Sequence, residues 1–188
     1  MKKFLSYLFI WALGGTFLLT SCKKFEAGED NEEEVITTMQ LYFTPATGGP
    51  TLLYSFDDGD GPGGNPPVQS EIVLDANTVY NVKLELLNRT VSPADTITNE
   101  VSEEGEAHRF YYTTAPGNNI SVSNLDDDVN GAPLGINSRW TTGGAATGTI
   151  AITLRHYPGT PPDKQPADPV NSPKSSTDIN IIYSTRIL

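Results

Sequence analysis

Between positions 78 and 87 the chain alternates strictly. Val79, Asn81, Lys83, Glu85 and Leu87 stand on one parity, and Tyr80, Val82, Leu84 and Leu86 on the other. Successive side chains of an extended strand point to opposite faces, so one face here is apolar and the other mostly polar. A helix would mix the two sets around its circumference. The segment is therefore a half-buried strand, and its apolar face demands a second layer to cover it.

The same signature recurs along the chain. Residues 35–44 are rich in β-branched and aromatic side chains, with Val35, Thr37, Met39, Leu41 and Phe43 on one parity. Further strand-like runs occupy 51–56, 72–74, 95–101, 108–114, 120–125, 136–141, 148–156 and 178–187. Ile150, Ile152 and Leu154 form the apolar row of one of them. Ile179, Ile181 and Tyr183 form that of the last, with Ile182 opposite. After residue 22 no apolar stripe recurs at helical spacing. The 17 glycines and 14 prolines mostly punctuate the intervals between runs. The expectation is an all-β fold, an immunoglobulin-like or related antiparallel β-sandwich of about 8–10 strands. It forms a single domain over residues 35–188, without a cysteine pair to staple its sheets.

The N-terminus carries a different instruction. Lys2 and Lys3 precede an apolar run over residues 4–19, too short for a bilayer span of roughly 20 apolar residues. It ends in Leu19-Thr20-Ser21-Cys22, a branched apolar residue and two small ones before a cysteine. This is the pattern of a lipoprotein signal. Residues 1–21 are expected to be cleaved and the Cys22 thiol to carry lipid. Cys22 is the only cysteine, so it has no disulfide partner. Two or more acyl chains give stable anchoring, because each buried methylene contributes about 0.8 kcal/mol. Residues 22–34, acid-rich from Glu26 onward, read as a disordered tether. The expected address is the outer membrane, lipid-anchored, on its periplasmic face or at the cell surface.

Loss of Lys2 and Lys3 with the signal leaves 10 basic residues against 23 acidic ones, a net charge of about −13. That sign excludes nucleic acid as a partner, since phosphates require a basic face.

Four motifs bear on chemistry. Residues 59–64 fit G-x-G-x-x-G formally, but Pro62, Pro66 and Pro67 forbid the helix that a dinucleotide site needs. Asp126, Asp128 and Asn130, followed by Gly131, match the opening half of a calcium loop. Asn137 stands where the bidentate glutamate belongs, so a weak calcium site and a polar turn both remain open. Asp57, Asp58 and Asp60 make a second acidic turn. His108 follows Glu104 and Glu106, which share its face if the segment is extended, and His156 continues the row of Ile150, Ile152 and Leu154. Two imidazoles with Glu104 or Glu106 would suit zinc or copper if their strands are neighbours. The competing reading makes each histidine a cap at the rim of the core.

No G-x-S-x-G, H-E-x-x-H or P-loop occurs, so no enzyme is expected. Trp140 is the only tryptophan beyond the signal, a thin stacking platform for glycans.

The phrases EEEVITTMQLYFTP, VSEEGEAHRFYY, LDDDVNGAPLG, TLRHYPG and TDINIIY together resemble a group of small, uncharacterised Gram-negative envelope lipoproteins. Some bear the label "type 1 periplasmic binding fold superfamily protein". The resemblance spans most of residues 32–187. It implies one exported domain and carries no activity. The two-lobed α/β architecture that the label denotes requires helices and length that this chain does not have.

The function expected is a membrane-anchored, non-catalytic β-domain that binds a ligand or partner, an outer-membrane uptake protein being the natural partner class. Loops 57–67, 126–135 and 157–176 would form its contact surface. The alternative is a metal-binding lipoprotein, with zinc or copper on the histidines or calcium on 126–131.

Overall fold

The structure is a computed structural model that describes residues 34–61 and 63–188. The signal, Cys22 and the tether apart from Glu34 lie outside the described residues. Ten strands and one helix follow in order: β1 (Thr38–Pro45), β2 (Leu52–Asp57), β3 (Val68–Gln69), β4 (Ile72–Leu74), β5 (Val79–Leu87), α1 (Ile97–Glu103), β6 (His108–Thr114), β7 (Ile120–Ser123), β8 (Asn137–Thr142), β9 (Ala146–His156) and β10 (Ser176–Ile187). They make an all-β sandwich.

One sheet has six strands in the order β3-β2-β1-β5-β8-β7, all antiparallel; the other has four, β4-β10-β9-β6. In the second sheet only β4 and β10 run parallel. The alternation read in the sequence sets which face is inside. Tyr80, Val82, Leu84 and Leu86 of β5 and Met39, Leu41 and Phe43 of β1 are buried. From the opposing sheet, Ile150, Ile152 and Leu154 of β9 and Ile181, Tyr183 and Ile187 of β10 enter the same apolar cluster. Ile182, on the opposite parity, is 57% exposed. Tyr183 Oη reaches across to the Met39 carbonyl at 3.5 Å. Trp140 stacks edge-on against Phe43, 4.9 Å away, and against Tyr112, 5.7 Å away.

One strand expectation needs correction. Residues 95–101 are not a strand; α1 occupies most of that span. Ile97 and Val101 stand one helical turn apart and both are buried, a stripe too short to register as a period. Thr98 fixes the helix to β5 by accepting from Leu86 N at 2.5 Å. The two-residue β3, exposed at a sheet edge, has no alternation long enough to signal it. Loop 157–175 sinks Tyr157, Lys164 and Ser172 into the body of the domain.

Candidate metal centre

β6 and β9 are antiparallel neighbours, and their register sets His108 directly opposite His156. Both imidazoles are buried on the inner face, in line with Phe110 and Leu154. The rings meet edge to face at 4.7 Å, and His156 Nδ1 lies 3.2 Å from His108 Nε2. The adjacency on which the sequence reading depended is therefore present.

Acidic groups close around the pair from three other elements. Glu34, just ahead of β1, sets Oε1 3.5 Å from His108 Nε2. It was expected in the tether but instead packs against the histidines. Glu104 caps the C-terminus of α1. Asp178 enters from β10, where the pairing with β9 shifts register between Thr177 and Ile179. Such a bulge re-aims the extra side chain, and here that residue is Asp178. Ligand atoms of His108, His156 and Asp178 lie within 4.8 Å of one another, and so do those of Glu34, Glu104 and His108.

Glu106 does not join them. The shared face of Glu104, Glu106 and His108 requires an extended segment, but residues 104–107 form a turn after α1. That turn sends the Glu106 carboxylate to the Asn130 side-chain amide.

The protonation pattern suits a cation. His108 Nδ1 lies 3.1 Å from the Glu104 carbonyl, which can only accept, so Nδ1 carries the proton and Nε2 offers a lone pair. A backbone carbonyl behind a histidine is the usual device for orienting a metal ligand. Burial, opposed by that hydrogen bond, drives His108 down to about 4, so the ring is neutral near pH 7. Burial also lowers His156, against the pull of Glu104. Glu34 is pushed up to about 7, first by burial and then by the charges of Asp178, Glu100 and Glu104. Glu34 Oε2 is buried without a hydrogen-bond partner among the described residues. A neighbouring cleft of about 360 Å³, lined by Glu34, Asp58 and Asp178 with Val35, Ile36, Phe56 and Ile179, gives the group an opening.

The calcium-like turn is built differently. Asp126 Oδ1 accepts from Gly135 N and Asn137 N, each at 2.9 Å, and its Oδ2 accepts from Asn137 Nδ2 at 2.8 Å. Asp128 Oδ1 accepts from Asn130 N at 2.8 Å and Ala132 N at 2.9 Å. Its Oδ2 meets the Lys164 ammonium at 2.7 Å, both side chains being almost fully buried. Neither aspartate joins a group of three converging ligands among the described residues. Lys164 also donates to the carbonyls of Gly105 at 2.5 Å, His108 at 2.8 Å and Pro133 at 3.3 Å. An internal ammonium thus sits among oxygens of the kind a cation would seek.

Sequence reasoning missed Glu34, Asp178 and Lys164. Glu34 was one acid among many in a charged run, and Asp178 turns inward only because of the bulge. Lys164 lies in a proline-rich stretch without periodicity. No family model matches this chain, and neither a curated protein nor a solved structure matches it.

Proposed function

We propose that the mature protein is a lipid-anchored envelope protein whose β-sandwich binds a transition-metal ion between His108, His156 and Asp178, with Glu34 and Glu104 close beside His108. The observation that carries this is the spacing of the donor atoms. Two nitrogens bound at roughly 2.0–2.1 Å to one tetrahedral ion lie about 3.3 Å apart. The imidazole nitrogens stand 3.2 Å apart, and an Asp178 carboxylate oxygen converges with the two rings within 4.8 Å. Nitrogen and carboxylate donors without thiolate favour zinc(II) or copper(II) over copper(I). A divalent ion also balances the carboxylates that otherwise repel one another in a low-dielectric setting.

His108 would bind through Nε2, its Nδ1 proton held by the Glu104 carbonyl. His156 would bind through Nδ1, with its proton on Nε2. The address rests on Leu19-Thr20-Ser21-Cys22 and on the resemblance to envelope lipoproteins. The domain handles an ion and performs no chemistry on a substrate.

Two experiments test the reading. Elemental analysis and competition titration against a chromophoric chelator should find one zinc or copper per chain. The count should fall toward zero in His156→Ala, and affinity should drop at least about tenfold in Asp178→Asn. Wild-type protein that takes up neither ion stoichiometrically would refute the site. For the anchor, Cys22→Ala should release the protein from the membrane fraction and abolish labelling with palmitate. A labelled, membrane-bound Cys22→Ala chain would refute it.

A further inference from the structure

Eight lysines and arginines lie among the described residues, and six are committed within the chain. Arg89 pairs with Asp57, Arg186 with Glu71, Lys174 with Asp163 and Asp168, and Lys164 with Asp128. Arg109 donates to three carbonyls of loop 157–175, and Arg155 to the chain around Ser172 and Ser175. The other two, Lys83 and Arg139, are exposed, and their side chains make no ion pair or hydrogen bond with the described residues.

These two are neighbours. On the outer face of the six-stranded sheet Asn81 pairs with Arg139, and Lys83 with Asn137, so the cations sit diagonally across β5 and β8. Like charges at that spacing repel. Neither cation forms an ion pair with a described acid, although the chain carries a net charge of −11. Tyr42, opposite Lys83 on β1, and Asn124 also line this face, a concavity of about 530 Å³. Two acids border this face, each holding a neutral donor. Glu85 accepts from Tyr42 Oη at 3.1 Å, and Asp126 from Asn137 Nδ2.

We propose that this face binds a carboxylate-bearing oligosaccharide. Arg139 and Lys83 take the carboxylates of successive uronate residues. Asn81, Asn124 and Asn137 each present a side-chain donor and acceptor for sugar hydroxyls. A long open face lined by amides suits a polyhydroxylated chain better than a compact anion, which would be caught between the two cations alone. Trp140 lies beneath the face in the core, so recognition rests on charge and hydrogen bonding, with the Tyr42 ring as its aromatic edge. The site is separate from the histidine centre, and neither depends on the other.

Isothermal titration of the full lipidated chain in detergent, with trimers of galacturonate, glucuronate and alginate, tests the proposal. At least one should bind, more weakly as salt rises. The methyl-esterified trimer should bind about tenfold or more weakly, and Lys83→Ala/Arg139→Ala should lose about tenfold or more in affinity while keeping its melting temperature and metal uptake. Failure of all three trimers to bind would overturn the proposal. So would equal binding of the neutral ester, an unchanged Kd in the double variant, or inorganic phosphate binding as tightly as the best trimer.

Discussion

Replacing Lys164 by methionine keeps the length of the side chain and removes its charge. The ammonium lies in a buried cage formed by the Asp128 carboxylate and the carbonyls of Gly105, His108 and Pro133. In Lys164→Met the Asp128 carboxylate stays buried with only two backbone amides facing it, and three carbonyls each lose one donor. Breaking a buried pair from one side costs about 3–5 kcal/mol, and the surviving amides place this case near the lower end. A cost of that size lowers the melting temperature of a chain this long by about 6–20 °C. Chemical and thermal unfolding of the single variants and of Lys164→Met/Asp128→Asn would measure it. The double variant should cost less than the sum of the singles by about 1–3 kcal/mol, because each single orphans the other group. Loop 157–175, pinned through Lys164, should become cleavable by protease in Lys164→Met. A loss under about 1 kcal/mol, with additive singles, would refute the reasoning, since exposed pairs behave that way.

Zinc at about a hundredfold its dissociation constant should stabilise the folded state by about 2.7 kcal/mol. The expected rise in melting temperature is about 5–11 °C by differential scanning calorimetry, lost in His156→Ala. Burial alone would raise the Asp128 carboxyl, but its hydrogen bond from Lys164 and those from Ala132 and Asn130 bring it below the usual value. Its contribution to stability is therefore full above the ordinary carboxylate pKa near 4 and disappears as pH falls through the lower folded value. Unfolding measured from pH 5 downward should show that loss shrink in Asp128→Asn. Gly148→Ala should destabilise by about 1–3 kcal/mol, because the new methyl would sit 2.5 Å from Asn118 Cβ and 3.2 Å from its Cα. Denaturant melts that match wild type would contradict that packing.

What the sequence revealed follows from what it encodes locally. The parity of β5, β9 and β10 named the inner face correctly, down to Ile182 of β10 pointing outward, because a one-residue slip would expose every apolar side chain. The period-2 row ending in His156 placed that ring at the core rim. Its opposition to His108 came from strand pairing, which local pattern does not carry. The helix at Ile97–Glu103 was hidden because two apolar residues and a threonine are its whole buried face. The turn it imposes at residues 104–107 is why Glu106 parted from Glu104. The bulge that turns Asp178 and the packing of Glu34 beside β6 belong to tertiary structure. The same is true of Lys164, whose partners lie more than 30 residues away in sequence.

The most direct measurement is anomalous diffraction from crystals of the protein grown with zinc, collected on both sides of the zinc absorption edge. The account predicts one strong peak between His108 Nε2, His156 Nδ1 and the Asp178 carboxylate, at roughly 2.0–2.2 Å from each. No peak at that position, or a peak only at the 126–131 turn, would contradict it.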